Sequence, residues 1–153
     1  MLRIAGPDDA AALGRLMHEA IRLGPSPYSE AQRAAWSPAA RNGSDWRARL
    51  SAQHVTVAAG ENGLLGFTSL EDDRYIDFAY ILPEVRGRGL FRRLFGAIRA
   101  EAERCGAARL TTHASLMAEP AFTAVGFAVL RREAVKIGLE TLARAEMAMD
   151  LRP

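Results

Sequence analysis

Leu82-Pro83-Glu84-Val85-Arg86-Gly87-Arg88-Gly89-Leu90-Phe91-Arg92-Arg93-Leu94 carries the chain from a strand-like segment, Ile76 to Leu82, through a proline and a glycine-punctuated basic turn into a long helix. Leu90, Phe91, Leu94, Phe95, Ile98 and Ala102 recur at helical spacing and are expected to face inward. Arg92, Arg93, Arg99 and Glu103 fall on the opposite, solvated side, and Cys105-Gly106 ends the helix. Small residues at such a junction let backbone N–H groups converge at a helix N-terminus, where the helix dipole also favours negative charge. The stretch reads as an anion cradle.

Two nucleotide motifs can be tested against it. A P-loop needs a lysine and a hydroxyl residue after its last glycine, and Leu90-Phe91 follow Gly89. A dinucleotide fingerprint needs a third glycine where Arg92 stands, and it normally opens the first strand–helix unit of a fold. Both fail.

Outside the turn, composition narrows the class. With 153 residues, 49% of them hydrophobic, the chain suits one domain spanning 1–153 around one core. The formal net charge of +2 is too small to announce a nucleic-acid partner, and the arginines are spread along the chain. Lys136 is the sole lysine, a skew that suggests coding bias, although arginine is the better phosphate ligand where it flanks the turn. No apolar run approaches membrane-spanning length, and Met1-Leu2-Arg3-Ile4 lacks a signal-peptide profile, so a cytoplasmic protein is expected. Cys105 is the lone cysteine and His18, His54 and His113 are scattered, which speaks against a disulfide framework or a metal site. Cys105 also ends its helix far from any expected reaction centre.

Leu2 to Ala5 can form a first strand. Pro7-Asp8-Asp9 opens a helix whose Leu13, Leu16, Met17, Ala20 and Ile21 make one apolar face, with His18 off it, and Gly24-Pro25-Ser26-Pro27 stops it. Tyr28 to Ser51 is irregular, with a helix start at Ser29-Glu30-Ala31-Gln32 and a short helix over Asp45 to Leu50. Both tryptophans, Trp36 and Trp46, lie there and serve either as core plugs or as pocket walls. A hairpin turns at Gly60-Glu61-Asn62-Gly63, and Asp72-Asp73 turns into a strand ending at Leu82. Ala108 to Thr112 is a further strand, followed by a helix from about Leu116 to Ala124. Phe127 to Ile137 and Leu142 to Leu151 close the chain as a strand pair. The pattern is α/β, a mixed sheet with a hairpin at each end.

Arg86-Gly87-Arg88-Gly89-Leu90-Phe91 resembles the acyl-CoA signature of the GNAT superfamily of N-acetyltransferases, Gln/Arg-x-x-Gly-x-Gly/Ala, in all but its last position. Ala118, Phe122 and Gly126-Phe127 resemble the family's second landmark, and the element order is similar over almost the whole chain. Tyr28-Ser29-Glu30-Ala31-Gln32 with Trp36, His113-Ala114-Ser115-Leu116 and Pro120-Ala121-Phe122 look like a small bacterial branch of largely unassigned substrate. The resemblance implies a central sheet of six to seven strands with about four helices, splayed between the fourth and fifth strands. It also implies acetyl-CoA as cosubstrate, and a homodimer is an expectation because members often dimerise.

By that resemblance the amides from Gly87 through Arg88, Gly89 and Leu90 to Phe91 hold the CoA pyrophosphate, and Arg86 orders the turn. Arg88 or Arg92 approaches phosphate, Arg92 and Arg93 otherwise being a solvated face. Ile81 offers backbone to pantetheine, and Ser115 sits where an asparagine often touches it. The reaction implied is direct attack of a primary amine of a small molecule on the thioester in a ternary complex. The irregular Tyr28 to Ser51 region, with Tyr28 and Trp36, forms the acceptor pocket. Two residues are candidates for the base: Asp77, equally readable as a structural carboxylate, and His113, since histidine titrates in the useful range. The family's usual acid is a tyrosine where this chain has Phe122, leaving Tyr75 and Tyr80 as substitutes or packing residues. That departure sustains an alternative, a non-catalytic acyl-CoA-binding regulatory module.

Overall fold

Residues 1–152 are described by a computed structural model of the chain. Seven strands form one sheet: β1 (Leu2–Ile4), β2 (His54–Gly60), β3 (Gly63–Glu71), β4 (Tyr75–Ile81), β5 (Arg109–Ser115), β6 (Ala128–Ile137) and β7 (Glu140–Asp150). Their order is β1-β2-β3-β4-β5-β7-β6. The helices are α1 (Ala10–Arg22), α2 (Glu30–Trp36), α3 (Ser44–Ser51), α4 (Leu90–Arg104) and α5 (Glu119–Ala124). The expected splayed mixed sheet is present, with five helices, two of them the short ones read within Tyr28 to Ser51. The helix foreseen from Leu116 begins only at Glu119, after a turn. Among the described residues no helix is long and apolar enough to cross a membrane.

Local chemistry accounts for these elements. Ser29 caps α2 reciprocally: its hydroxyl accepts from Gln32 N at 3.1 Å, and Gln32 Oε1 accepts from Ser29 N at 2.8 Å. Gln32 Nε2 also donates to Thr141 O at 2.8 Å, tying α2 to β7. Asp72 and Asp73 both take positive φ (51° and 61°), the mirror-type turn that joins twisted antiparallel strands. In the β2–β3 hairpin Gly60 pairs with Gly63 across the two-residue loop Glu61-Asn62, so the turn spans Gly60 to Gly63 as expected.

Two apolar layers cover the sheet. On one side Leu13, Leu16, Met17 and Ile21 of α1 and Trp46 of α3 pack on Val57, Phe67 and Phe78. On the other, Phe95 and Ile98 of α4 and Phe122 of α5 pack on Leu70, Ile76, Leu110 and Met147. Ile76 and Phe78 lie two apart on β4 yet serve opposite layers. The register explains it: Leu70 faces Ile76 and Thr68 faces Ala79, so β4 carries one extra residue, a bulge that reverses side-chain alternation.

All neighbouring strands run antiparallel except β4 and β5. These are joined by α4, the crossover that parallel strands require. They pair only at Tyr75–Thr111 and Ile76–Thr112 and part beyond that point. The site lies in this gap.

Candidate active site

A cleft of about 810 Å³ lies where β4 meets α4. Gly87 and Gly89 both hold left-handed φ (78° and 80°), a conformation that would strain any other residue. A Cβ built on either would meet no protein atom within 4 Å, so the space over the turn is open. Gly89 is the N-cap of α4 and supplies no side-chain cap, leaving the first helical amides to point outward. Open space, convergent amides and a fifteen-residue helix behind them fit a pyrophosphate.

Of the residues assigned to this function, Ile81, Arg86, Gly87, Gly89, Leu90, Phe91 and Ser115 line the cleft, and so does Arg92. Arg88 does not. Arg86 acts as a clamp: its Nη2 donates to Ala20 O at 2.8 Å and its Nε to Ile81 O at 3.2 Å. Its guanidinium thus locks the turn against α1 and β4, and burial pushes its pKa down. Phe91 packs against the core as its helical spacing predicts and also lines the cleft, its ring edge-on to Phe122 at 5.0 Å. That contact explains an aromatic at the signature's small-residue position.

The bulge sets the backbone facing the gap. Phe78 N bonds Ser69 Oγ at 2.9 Å and Leu82 N bonds Leu65 O at 2.9 Å, both toward β3. By alternation the main-chain groups of Ala79 and Ile81 turn the other way, into the gap. The Ile81 carbonyl already accepts from Arg86, so Ala79 offers the freer backbone. Sequence reasoning missed Ala79, since neither glycine nor proline marks the bulge.

A second cavity, about 210 Å³, opens on the far side of the gap. Asp77, His113, Tyr28 and Trp36 all line it, with Arg41, Arg49, Tyr75 and Arg144. Asp77 is engaged on both oxygens: Arg49 donates at 2.9 and 3.1 Å and Gln53 Nε2 at 2.7 Å. These contacts match the structural-carboxylate alternative, because a base needs an oxygen free to take a proton. His113 is placed differently. Its Nδ1 lies 2.7 Å from the Tyr75 hydroxyl, and its Nε2 lies 3.5 Å from Glu133 and 3.8 Å from Glu146. Carboxylates favour a proton on Nε2, so Nδ1 accepts from Tyr75. Burial pushes the Tyr75 phenol up. Burial also works against ionising Glu133, yet Arg144, His113 and Arg131 together hold its carboxyl below the ordinary value.

The aromatic residues divide their roles. Trp46 is a core plug, buried, its Nε1 donating to Ala10 O at 2.7 Å. Trp36 is a pocket wall. Tyr28 is wall and strut at once: its hydroxyl donates to Ala143 O and accepts from Leu116 N at 2.8 Å, binding the α1–α2 loop to β7 and to the turn after β5. His18 is partly buried rather than a surface residue, its Nδ1 2.7 Å from Ser37 Oγ. Cys105 is exposed and lines neither cavity. Among the described residues no cluster of metal-ligating side chains occurs.

The two cavities share Trp36, Ala79, Tyr80, Ser115 and Ala118 on their walls. A long ligand in the cleft and a small one in the cavity would meet at these residues.

Comparison with known proteins bears on this geometry. The acetyltransferase (GNAT) domain family matches residues 25–150. The uncharacterized N-acetyltransferase YafP of Escherichia coli K12 is 31% identical over 132 residues, 85% of this chain and 82% of that protein. A crystal structure from Rhodopseudomonas palustris, named "GCN5-Related N-acetyltransferase: Aminotransferase, Class-II", superposes with a TM-score of 0.90 at 34% identity, covering 99% of this chain and 95% of that one. A GNAT superfamily phosphinothricin acetyltransferase from Sinorhizobium meliloti, solved with acetyl-CoA, shares the fold at a TM-score of 0.69 and 19% identity, covering 99% and 88%.

Proposed function

We propose a reaction for this chain from its place in the GNAT acetyltransferase family, to which it belongs. It transfers an acetyl group from acetyl-CoA to a primary amine of a small molecule, in a ternary complex, by direct attack. The observation that carries this is the meeting of the two cavities at the β4–β5 gap. A cavity of about 210 Å³ lies below the ~300–1,000 Å³ of drug-sized ligand sites, so the acceptor is small or inserts only its amine-bearing end. A non-catalytic acyl-CoA module would need no such second chamber.

The turn from Gly87 to Phe91 holds the pyrophosphate through its amides, and Ile81 and Ser115 flank the pantetheine arm. The Sinorhizobium meliloti relative of the same fold was solved with acetyl-CoA, which supports that cosubstrate. Ala79 N–H faces the gap and polarises the thioester carbonyl. The amine nitrogen forms the new C–N bond and the C–S bond breaks. Tyr75 takes the amine proton while passing its own to His113 Nδ1, and Glu133 and Glu146 stabilise the imidazolium that results. The sulfur departs as thiolate. Thiols have ordinary pKa values near 8.5, so no side-chain acid is required and Phe122 removes no step. Most of the acceleration comes from holding the two substrates together.

Thiol release from acetyl-CoA across a library of primary amines tests the proposal, with acetyl-CoA binding measured by calorimetry. We expect micromolar to millimolar binding and turnover with a subset of the amines. Tight acetyl-CoA binding without turnover of any amine would sink the catalytic reading in favour of the binding module.

A further inference from the structure

We propose that the acceptor carries an anionic group, a carboxylate or its like, beside its amine, and that Arg41 binds it. This rests on the acetyl-transfer reading above and adds the chemical class of the acceptor.

Three arginines and one aspartate lie on the wall of the smaller cavity. Two of the arginines have carboxylate partners: Arg49 with Asp77 at 2.9 Å and Arg144 with Glu133 at 2.9 Å. Arg41 has none within ion-pair distance, and no hydrogen bond to its guanidinium occurs among the described residues. Its Cζ stands 5.6 Å from the centre of the Trp46 ring, a cation–π contact that fixes its position without neutralising its charge. Burial, together with repulsion from Arg49, pushes its pKa down. A partly desolvated cation without a counter-ion is unfavourable, and an anionic ligand supplies what is missing. The pyrophosphate is not that ligand, since Arg41 lines the smaller cavity and not the cleft.

The approach of this residue is built into the fold. A Cβ on Gly14 of α1 would lie 1.9 Å from the Arg41 carbonyl oxygen, so only glycine lets the loop before α3 sit so close. The cavity also has polarity. Around Arg41 stand Trp46, Tyr80 and the paired Arg49 and Asp77, which leave its charge unbalanced, whereas around His113 stand Tyr75 and two glutamates, Glu133 and Glu146, matched by Arg131 and Arg144. An amine directed to the charge-balanced, histidine-bearing end leaves its anionic group to the Arg41 end. Polyamines and aminoglycosides would bring further positive charge to that end.

Steady-state kinetics with matched acceptors decides the matter: amino acids, their primary amides, and the amines that lack the carboxylate altogether. The carboxylate member should exceed its amide in kcat/KM by ten- to a hundredfold. Arg41→Gln should raise KM for the carboxylate acceptor by a similar factor and abolish the preference. It should leave kcat within about twofold and acetyl-CoA affinity unchanged, while Arg41→Lys should restore part of the loss. Should the variants fold poorly, an amine-free carboxylate of matched size should inhibit the unaltered enzyme competitively against the acceptor and not against acetyl-CoA. Equal or better turnover of amides or polyamines would overturn the anionic acceptor while leaving acetyl transfer intact. Failure to bind acetyl-CoA would overturn the acetyl-transfer reading itself.

Discussion

The cleft and the smaller cavity are two halves of one site made in different ways. The cleft is built of backbone: two left-handed glycines, the uncapped start of α4 and the bulged edge of β4. The smaller cavity is built of side chains brought from α1, α2, β4, β5, β7 and the loop before α3. Backbone amides recognise what every use of the site shares. Side chains on separate elements can be exchanged one at a time without disturbing the cradle.

The sharpest break of this contrast should come at Gly89. Gly89→Val places a branched residue at φ 80°, strained by about 1–2 kcal/mol, and relief of that strain turns away amides that are each worth ~1.5–3 kcal/mol to a charged ligand. Acetyl-CoA affinity should fall several-hundredfold by calorimetry while the melting temperature moves little, because no protein atom contests the added side chain. An unchanged Kd would refute the cradle.

The opposite pattern is expected at His113. His113→Ala should lower kcat by roughly a hundredfold with acetyl-CoA affinity unaltered. Asp77→Asn, which loosens Arg49 and Gln53, should act mainly on acceptor KM. If the two variants exchanged these signatures, Asp77 would be the base. Gly14→Ala should cost about 1–3 kcal/mol by overpacking against the Arg41 carbonyl and raise acceptor KM about tenfold, read by thermal melts and kinetics together. A lower melting temperature with unchanged KM would detach Gly14 from the site.

The smallest effect is a baseline touching neither half. Arg3 bonds both oxygens of Asp9 and holds its carboxyl below the ordinary range. That stabilisation is fully present above the unfolded-state value near 3.9 and is lost as pH falls through the lower folded one. Asp9→Asn should therefore lower the melting temperature slightly near neutrality, with the gap from the unaltered protein closing below about pH 4. Affinity for acetyl-CoA should not move.

How much was legible follows the same division. Gly87 and Gly89 could be placed from sequence because glycine is what a left-handed turn demands, and Ser29 with Gln32 because a capping box is local. The splayed sheet was implied by the family resemblance, which element order helped to carry. Arg41 could not be found, since its place depends on a contact with Gly14 on another element. Which tryptophan walled the pocket was open for a similar reason: Trp36 and Trp46 sit on neighbouring short helices whose packing no local pattern dictates. Phe91 was legible twice, as core by helical spacing and as cleft by its place in the turn, because the cleft opens at the rim of that face of α4.

The extra residue in β4 has a further consequence. It makes the strand change phase midway, so Ile76 and Phe78 are anchored to different layers while the main-chain groups of Ala79 and Ile81 beyond them turn into the gap. Deleting Asp77 would close the bulge, leaving Phe78 opposite Ser69 and Ala79 opposite Thr68 as they are now, and would cost the site only the carboxylate that Arg49 and Gln53 hold. Substitutions along β4 alter only what a position presents; the extra residue decides which side every later position takes relative to Ile76.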